Sequence, residues 1–233
     1  MLQVMSKKTE MALGELPPLK VPRREGGYER GREVYEQILR GTLRVLIENG
    51  ASALTMRRVA LASKVQPGHL AYYFKSRQDL LRELLDALVA EYIEALEAVV
   101  DREGVTVEQK LEGAVMQIIA DIRTKRTTRV FTELWAMSNH DDFVRDRIEE
   151  LYERGYAVFR GLIMELNPRL TQEDLAGVML FIRSMLEGTT ISAGYGKPWF
   201  NSLDTLGRLA TKSLLAMIPA LEPGEACDLD VSG

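Results

Sequence analysis

The chain has 233 residues, enough for one large domain or two small ones, and 46% of them are hydrophobic. No run approaches the ~20 apolar residues of a membrane span, the single Cys227 excludes an internal disulfide, and the first residues lack a signal-peptide layout, so we expect a cytoplasmic protein. The net charge of −4 is unevenly distributed along the chain. Residues 1–80 hold 14 Lys and Arg against 8 Asp and Glu, whereas residues 81–233 hold 16 Lys and Arg against 26 Asp and Glu. Only the N-terminal end is therefore suited to an anionic partner.

Residues 1–30 have the composition of a tail. Pro17, Pro18 and Pro22, followed by Gly26 and Gly27, leave no apolar period, and scattered Lys and Arg make the segment basic. We predict that residues 1–30 form a disordered basic tail. The alternative is a flexible arm that adds phosphate contacts or enters a minor groove.

Residues 55–81 predict two short helices joined by a tight turn, a sharp stop and a third helix. Thr55 precedes the first apolar-periodic run, where its hydroxyl can accept from a free backbone N–H. Pro67 falls in the first turn of the second helix, where the N–H that proline lacks would have no partner. Ser76 and Asp79 have the capping-box spacing at the start of the third helix. This layout is typical of a helix-turn-helix unit that places one helix in the DNA major groove.

The second short helix divides into a buried stripe and an outer face. Leu70 and Phe74, four residues apart, form the stripe, which leaves His69, Tyr72 and Tyr73 on the outer or partly outer face. Gly68 keeps the first turn thin, so the backbone can approach a base edge or a phosphate closely.

These residues resemble the N-terminal domain of the tetracycline-repressor (TetR) family of one-component transcription regulators, over about residues 33–86. The resemblance implies that Thr55 faces a thymine or phosphate and that Tyr72, Tyr73 and Lys75 contact phosphates. The sequence departs from the family pattern at Gln66, His69 and Ala71, so the resemblance implies no particular base preference. The DNA-binding residues predicted together are Thr55, Arg57, Gln66, Pro67, Gly68, His69, Tyr72, Tyr73 and Lys75.

The rest of the chain has helical periodicity. The predicted helices cover residues 77–101, 107–125, 129–138, 142–165, 172–193 and 203–217, with the last ending at Pro219. The sequence predicts an all-α fold, with a three-helix helix-turn-helix DNA-binding domain at 31–80 and a helical ligand-binding and dimerisation domain at 81–220. Residues 221–233 are predicted to be an acidic flexible tail.

The last two long helices are the candidates for self-association. The resemblance implies a homodimer whose four-helix bundle lies across a two-fold axis. One recognition helix reads few bases, whereas two recognition helices ~34–36 Å apart would read a palindrome in successive major grooves. The alternative is that these apolar faces only bury each other inside one chain. The predicted interface residues are Leu175, Met179, Ile182, Leu186, Leu206, Leu209 and Leu214.

The resemblance also implies a small-molecule pocket in the C-terminal part. Aromatic and methionine side chains can line an adaptable apolar cavity, and Arg183 could fix an anionic group. The alternative is that these residues are core. The break at residues 194–198, with the Trp135 region, loosely resembles the choline-responsive branch of the family, where an aromatic cage would hold a quaternary amine. The predicted lining residues are Met116, Phe131, Trp135, Met137, Tyr156, Phe159, Met179 and Arg183.

An enzyme is the competing class, and the sequence offers it little. The two histidines, His69 and His140, join no Ser-His-Asp order, and residues 194–197 are too short for a phosphate loop. We therefore expect no enzyme, cofactor or metal site. The expected function is a ligand-responsive repressor that binds a palindromic double-stranded operator as a homodimer, away from any membrane, and is released by a small-molecule effector. The alternative is an all-helical small-molecule-binding protein or adaptor without sequence-specific DNA binding.

Overall fold

The computed structural model describes residues 29–226, so nearly all of the predicted N-terminal tail lies outside the described residues. The described part contains helices only, which confirms the all-α class. The helices are α1 Glu29–Asn49, α2 Met56–Ala62, α3 Pro67–Tyr73, α4 Arg77–Val100, α5 Val107–Ile122, α6 Lys125–Ser138, α7 Asp142–Leu166, α8 Gln172–Ala193 and α9 Leu203–Ala220, with 3₁₀ turns at Ala51–Ala53 and Phe200–Ser202. None of these helices is both long and apolar enough to cross a membrane.

Helices α1–α3, here called the head, pack on helices α4–α9, here called the body. Helix α1 lies against α2, α4 and α6, and α4 continues from the head into the body, where it contacts α5 and α7. One apolar core joins both parts, from Leu39 and Phe74 in the head through Leu84 of α4 to Phe159 of α7. Helix α4 has 24 residues, a length of about 36 Å, so it links the head to the far side of the body.

Side-chain caps fix most helix starts. At the start of α8, the Thr171 hydroxyl accepts from the Asp174 N–H at 3.1 Å and the Asp174 carboxylate accepts from the Thr171 N–H at 2.9 Å, which together form a capping box. Ser76 accepts from the Asp79 N–H at 3.1 Å at the start of α4. Each such bond satisfies a backbone donor that the helix leaves unpaired, typically worth ~1 kcal/mol.

Four helix boundaries differ from the predictions by two or more residues. Helix α5 ends at Ile122 and α6 begins at Lys125, because the Thr124 hydroxyl accepts from the Thr127 N–H at 3.1 Å and so starts a new helix. Helix α9 runs through Pro219 to Ala220, since a proline in the last turn forfeits only one bond. Helix α1 begins at Glu29, two residues inside the predicted tail.

The start of the predicted C-terminal tail is anchored rather than free. The buried Asp174 carboxylate accepts from the Gly224 N–H at 2.9 Å and from the Ala226 N–H at 3.1 Å. These backbone bonds lower the pKa of Asp174 to about 2. Residues 221–226 of the predicted tail are thus held against the start of α8 by these bonds, and residues 227–233 lie outside the described part.

Candidate nucleic-acid interface and effector cluster

The turn between α2 and α3 sets the direction of the second short helix. Thr55 caps α2 by accepting from the Arg58 N–H at 3.3 Å, and its hydroxyl hydrogen remains available to donate outward. Lys64 in the turn has φ 54°, a left-handed backbone that no sequence signal indicated. Gln66 occupies the N-cap of α3 without a side-chain cap bond, and Pro67 stands in the first turn as predicted.

Helix α3 turns nearly all of its surface to solvent. Leu70 is the one buried residue of its seven, and Phe74 directly after it is also buried. Tyr72 is 74% exposed, and Gly68 has no atom within 4 Å of the position where a Cβ would stand. The predicted DNA-binding residues that the structure leaves exposed are Thr55, Arg57, Gln66, Pro67, Gly68, His69, Tyr72 and Lys75.

Tyr73 differs from its neighbour because it is half-buried. Its ring meets Tyr35 of α1 edge-on at 6.3 Å between ring centroids, and Tyr35 stacks on Phe74 at 5.0 Å. Tyr72 contacts Tyr73 at 5.2 Å with perpendicular rings. Tyr73 therefore positions the end of α3 as well as offering a hydroxyl, whereas Tyr72 is free to contact a partner.

Sequence reasoning missed the contact that sets the spacing of α1 and α2. A Cβ built on Gly41 would lie 1.9 Å from Ser63 Oγ and 2.9 Å from Ser63 Cα, so only glycine permits this approach. The Gln37 amide donates to the Ser63 carbonyl at 2.6 Å, next to this crossing. A glycine inside a strong helical pattern was the available signal.

In the body, aromatic side chains of α6 and α7 surround a carboxylate of α8. The Trp135 indole N–H donates to the Tyr152 hydroxyl at 2.6 Å, and the Tyr156 hydroxyl donates to Glu187 Oε1 at 3.2 Å. We call Trp135, Tyr152, Tyr156 and Glu187 the aromatic–acid cluster. The sequence analysis predicted neither Tyr152 nor Glu187 as a site residue. The available signal for Glu187 was a charged residue directly after the apolar pair Met185 and Leu186 inside a largely apolar helix.

The structure unites part of the predicted pocket and separates the rest. Phe131 packs against Trp135 at 6.2 Å and Phe159 against Tyr156 at 5.6 Å, so these residues adjoin the aromatic–acid cluster. Met116 instead faces α9, where its Sδ lies 2.7 Å from a Cβ built on Gly207. Met137, also predicted to line the pocket, has its Sδ 3.9 Å from an Arg77 guanidinium nitrogen near the head. Met179, the last of the predicted methionines, is half-buried.

The sequence suggested that Arg183 could hold an anionic group. In the structure its guanidinium is already paired with a carboxylate. Its guanidinium donates two bonds to the Glu149 carboxylate, at 2.7 and 2.8 Å, and its Cζ lies 3.8 Å from the Tyr152 ring centroid. The bidentate pair commits the charge of Arg183 to a neighbouring acid. An anionic ligand would have to compete with Glu149 for it.

In the aromatic–acid cluster the pKa of Glu187 is raised, so part of the carboxyl population still holds its proton near neutral pH. Burial raises the pKa of Glu187 to about 7, against the opposing effect of hydrogen bonds from Tyr152 and Tyr156. Burial also raises the pKa of Tyr152 and Tyr156, so both hydroxyls keep their protons. Glu187 is thus a half-buried acid whose ionised form a nearby positive charge would stabilise.

Glu187→Gln should become more stable relative to wild type as pH rises. The folded protein holds the Glu187 proton up to a pKa of about 7, whereas the unfolded chain releases it near 4.5, so ionisation costs the folded state stability as pH rises between these values. The relative gain of the Gln variant from pH 4 to pH 8 should reach up to about 3 kcal/mol. Thermal melts at both pH values measure it, with the exposed Glu153→Gln as the control. Parallel curves for both variants would contradict the raised pKa.

The structure redraws the predicted dimer face. Four of its seven residues lie in the core of one chain, each with at most 1% of its surface exposed: Leu175, Ile182, Leu186 and Leu214. The reason is that the most apolar stripe of each helix faces the core of its own chain. Met179 and Leu206 are half-buried and Leu209 is 56% exposed. These four core residues are unavailable to a second copy.

Comparisons of sequence match two parts of the chain. The model for bacterial regulatory proteins of the tetR family matches residues 38–84, and the model for the C-terminal part of BetI-type transcriptional repressors matches residues 107–216. The fatty acid metabolism regulator protein of Bacillus subtilis strain 168 is 23% identical over 134 residues, 58% of this chain and 68% of that protein.

Solved structures share the fold at low sequence identity. A TetR transcription regulator from Haloarcula marismortui is 20% identical with a TM-score of 0.66, covering 80% of this chain and 98% of that one. A transcriptional regulator from Saccharomonospora viridis, in complex with choline, is 18% identical with a TM-score of 0.65 and coverages of 78% and 96%. FadR from Bacillus subtilis, in complex with stearoyl-CoA, is 20% identical with a TM-score of 0.62 and coverages of 80% and 98%.

Proposed function

This chain belongs to the TetR family of bacterial regulatory proteins and is a DNA-binding transcriptional regulator, and we propose that it is a repressor whose dimer binds a two-fold symmetric operator until a small molecule binds the body. The observation that carries the proposal is helix α3, which buries Leu70 and exposes His69 and Tyr72. A seven-residue helix that buries one side chain contributes little to the stability of the fold. Its exposed surface is therefore available to contact DNA. Acting on DNA, the protein would work in the cytoplasm and without catalysis.

The exposed residues divide by chemistry into two roles. Arg57, Tyr72 and Lys75 are proposed to contact phosphates, which fixes register and orientation on the duplex. His69, in the first half of α3, is proposed to reach a base edge, and Gly68 beside it lets the backbone come close.

Lys75→Ala should weaken operator binding for all sequences alike, and His69→Ala should change the preference among sequences. A lost phosphate contact lowers the salt dependence of log K by about 1, whereas a lost base contact costs ~1–3 kcal/mol at one position. Selection of bound duplexes from a random pool, followed by titrations at several salt concentrations, measures both.

Arg102→Ala is the matched control for the lost charge. Arg102 is exposed just beyond the far end of α4, about 36 Å along that helix from the head, so its loss should leave the salt slope unchanged. If wild type selects no duplex, the alternative of a helical ligand-binding protein or adaptor stands instead.

The second copy is proposed to pack on an apolar face of α8 and α9. Leu180 and Ile191 of α8 are 62% and 57% exposed, and Leu209 of α9 is 56% exposed. Small side chains on the same helix faces, at Ala176 and Ser213 among others, would let two such surfaces approach closely. A cluster of exposed large apolar residues on two adjacent helices marks an interaction surface, and a two-fold contact uses the same patch on both copies.

Release is proposed to pass through α6, which contacts both the aromatic–acid cluster and the head. On its cluster side it carries Trp135. On its head side Glu133 accepts from the Ala51 N–H at 2.7 Å, and the Arg129 guanidinium donates to the Ile47 carbonyl at 3.0 Å. Lys125 pairs with Glu48 at 2.8 Å. We call these three contacts, to the end of α1 and to the 3₁₀ turn that follows it, the α6 clamp.

The α6 clamp predicts a local effect of Glu133→Ala on the head. The variant leaves the N–H of the buried Ala51 without its acceptor, which costs ~1–3 kcal/mol and should raise amide exchange there about ten- to a hundredfold. Hydrogen-exchange mass spectrometry of residues 46–54 measures this. Glu133→Gln keeps an acceptor oxygen and should retain most of the protection. Equal exchange in wild type and the Ala variant would argue against a clamp that transmits motion.

The relatives support a small-molecule effector without deciding its class. One neighbouring structure holds choline, a cation, and another holds stearoyl-CoA, an anionic amphiphile. At these identities the likeness concerns the fold, so the class for this chain has to come from its own side chains.

A further inference from the structure

A polar cleft of about 460 Å³, open to solvent, lies where the head meets the body, and we call it the junction cleft. Its walls are residues 46–50 at the end of α1, one face of α6 from Thr128 to Glu133, and residues 195–197 in the turn between α8 and α9. A cleft of this volume is large enough for a small molecule. Since the side chains of the aromatic–acid cluster do not line it, the junction cleft is a separate candidate site.

The turn between α8 and α9 is built tightly onto α6. The Tyr195 N–H donates to the hydroxyl of the buried Thr128 at 2.8 Å. A Cβ built on Gly194 would lie 2.5 Å from the same Thr128 Oγ1, so the turn could not approach α6 this closely with another residue there. The Lys197 N–H donates to the Gly194 carbonyl at 3.0 Å. Because these backbone donors are already used, the turn offers the junction cleft the charge of Lys197 rather than a backbone cradle for phosphate.

Two cations line the junction cleft without a carboxylate partner. Among residues 29–226, none of the ion pairs within 4 Å includes Arg129 or Lys197. Arg129 donates one bond, to the Ile47 carbonyl at 3.0 Å, which leaves further guanidinium N–H groups available. Lys197 is half-buried, so its ammonium has lost part of its hydration without gaining an opposite charge.

The two carboxylates of the junction cleft are engaged elsewhere. Both oxygens of Glu48 accept from the Lys125 ammonium at 2.8 Å. Glu133 stands four residues after Arg129, a spacing at which opposite charges often pair along a helix, but its carboxylate accepts from the Ala51 N–H at 2.7 Å. With the pair to Lys125 set aside, the two unpaired cations exceed the one remaining carboxylate by a single positive charge, which an anion would cancel.

We propose that the junction cleft binds a small molecule through an oxyanion group, a carboxylate or a phosphate, held between Arg129 and Lys197. The planar guanidinium suits two oxygens of such a group, and the ammonium adds a point charge. Arg129 belongs to α6 and Lys197 to the turn between α8 and α9, so the bound anion would fasten these two elements beside the α6 clamp. Binding here requires neither the aromatic–acid cluster nor the repression proposed above.

The test titrates the full chain, without DNA, with inorganic phosphate in chloride buffers of constant ionic strength, by calorimetry. Wild type should bind phosphate saturably. Lys197→Gln and Arg129→Gln should each weaken that binding about tenfold or more, the effect of one lost hydrogen bond between charged groups. Lys197→Gln should melt as wild type does, because the ammonium has no partner among the described residues. Arg102→Gln, which removes a charge at an exposed position just beyond α4, should bind phosphate as wild type does.

Two further measurements distinguish a free anion from a phosphate of the DNA backbone. Lys75→Ala, altered beside α3, should keep the wild-type affinity for inorganic phosphate. Lys197→Gln should keep the wild-type salt dependence of operator binding, since a cation that contacts no DNA phosphate releases no counterion.

Four results would overturn the proposal. Wild type that does not bind phosphate, or Lys197→Gln that binds it as wild type does, would show that the junction cleft holds no anion. Loss of phosphate binding in Lys75→Ala would place the anion on the DNA-binding surface. A reduced salt dependence of operator binding in Lys197→Gln would assign the cleft to the DNA backbone instead of a free ligand.

Discussion

Gly41→Ala is expected to destabilise the head and abolish operator binding. The added methyl would stand 1.9 Å from Ser63 Oγ and 2.9 Å from Ser63 Cα, and because the latter is backbone it cannot rotate away. Alanine gains about 1 kcal/mol over glycine in a helix, but this overlap forces α1 and α2 apart and should cost clearly more. We expect a net loss of about 2 kcal/mol, or roughly 4–8 °C in Tm for a chain of this size.

Two companion variants isolate the cause. Ser63→Gly in the Gly41→Ala background removes Oγ and Cβ and should recover part of the stability. Gly68→Ala, where nothing lies within 4 Å of the new methyl, should melt at or above the wild-type temperature yet bind operator more weakly, since the methyl would face the DNA. Circular dichroism melts and operator titrations give both readouts. An unaltered melt for Gly41→Ala would show that the two helices adjust freely.

Leu180→Glu combined with Leu209→Glu is expected to separate the dimer and reduce operator affinity roughly a hundredfold or more, since each half-site then binds alone. Both side chains are more than half exposed in one chain, so its fold should tolerate the charges. Placed against their own copies across a two-fold axis, however, four carboxylates would meet in an apolar contact. Sedimentation equilibrium should give twice 26.3 kDa for wild type and 26.3 kDa for the variant.

Ala157→Glu, an exposed position on α7, is the control and should remain dimeric. The variant monomer should still select half-sites from a random duplex pool, because α3 is intact. Wild type that sediments as a monomer at micromolar concentration, or a double variant that stays dimeric, would refute the proposed face.

The head could be predicted closely from the sequence because its signals are local. Thr55, Pro67 and Ser76 each act within one turn of chain, and the structure places all three at helix starts. The contact of Gly41 with Ser63 joins residues 22 positions apart, so no local pattern reveals it. Lys64 takes a left-handed backbone without the glycine or asparagine that usually signals one.

The body was less predictable because its site is assembled from three helices. Trp135, Tyr152 and Glu187 share no sequence spacing, and the partner of Arg183 proved to be Glu149, 34 residues earlier. Four of the predicted interface residues lie in the core for a physical reason. Hydrophobic periodicity finds the stripe with most apolar residues, and in α8 that stripe packs into its own chain at Ile182, whereas Leu180 beside it stays exposed.

The anchoring of Ala226 by Asp174 has a practical consequence for experiments on intact operator complexes. Asp174 lies in the first turn of α8, a helix of 22 residues that is about 33 Å long. Just after the opposite end of α8, the Tyr195 N–H donates to the Thr128 hydroxyl of α6 at 2.8 Å. Cys227, the one thiol of the sequence, is the next residue after Ala226. A fluorophore or biotin attached to this thiol follows directly on the anchored Ala226, so we expect labelling of the native cysteine to leave operator binding unchanged, which an operator titration of the labelled protein would check.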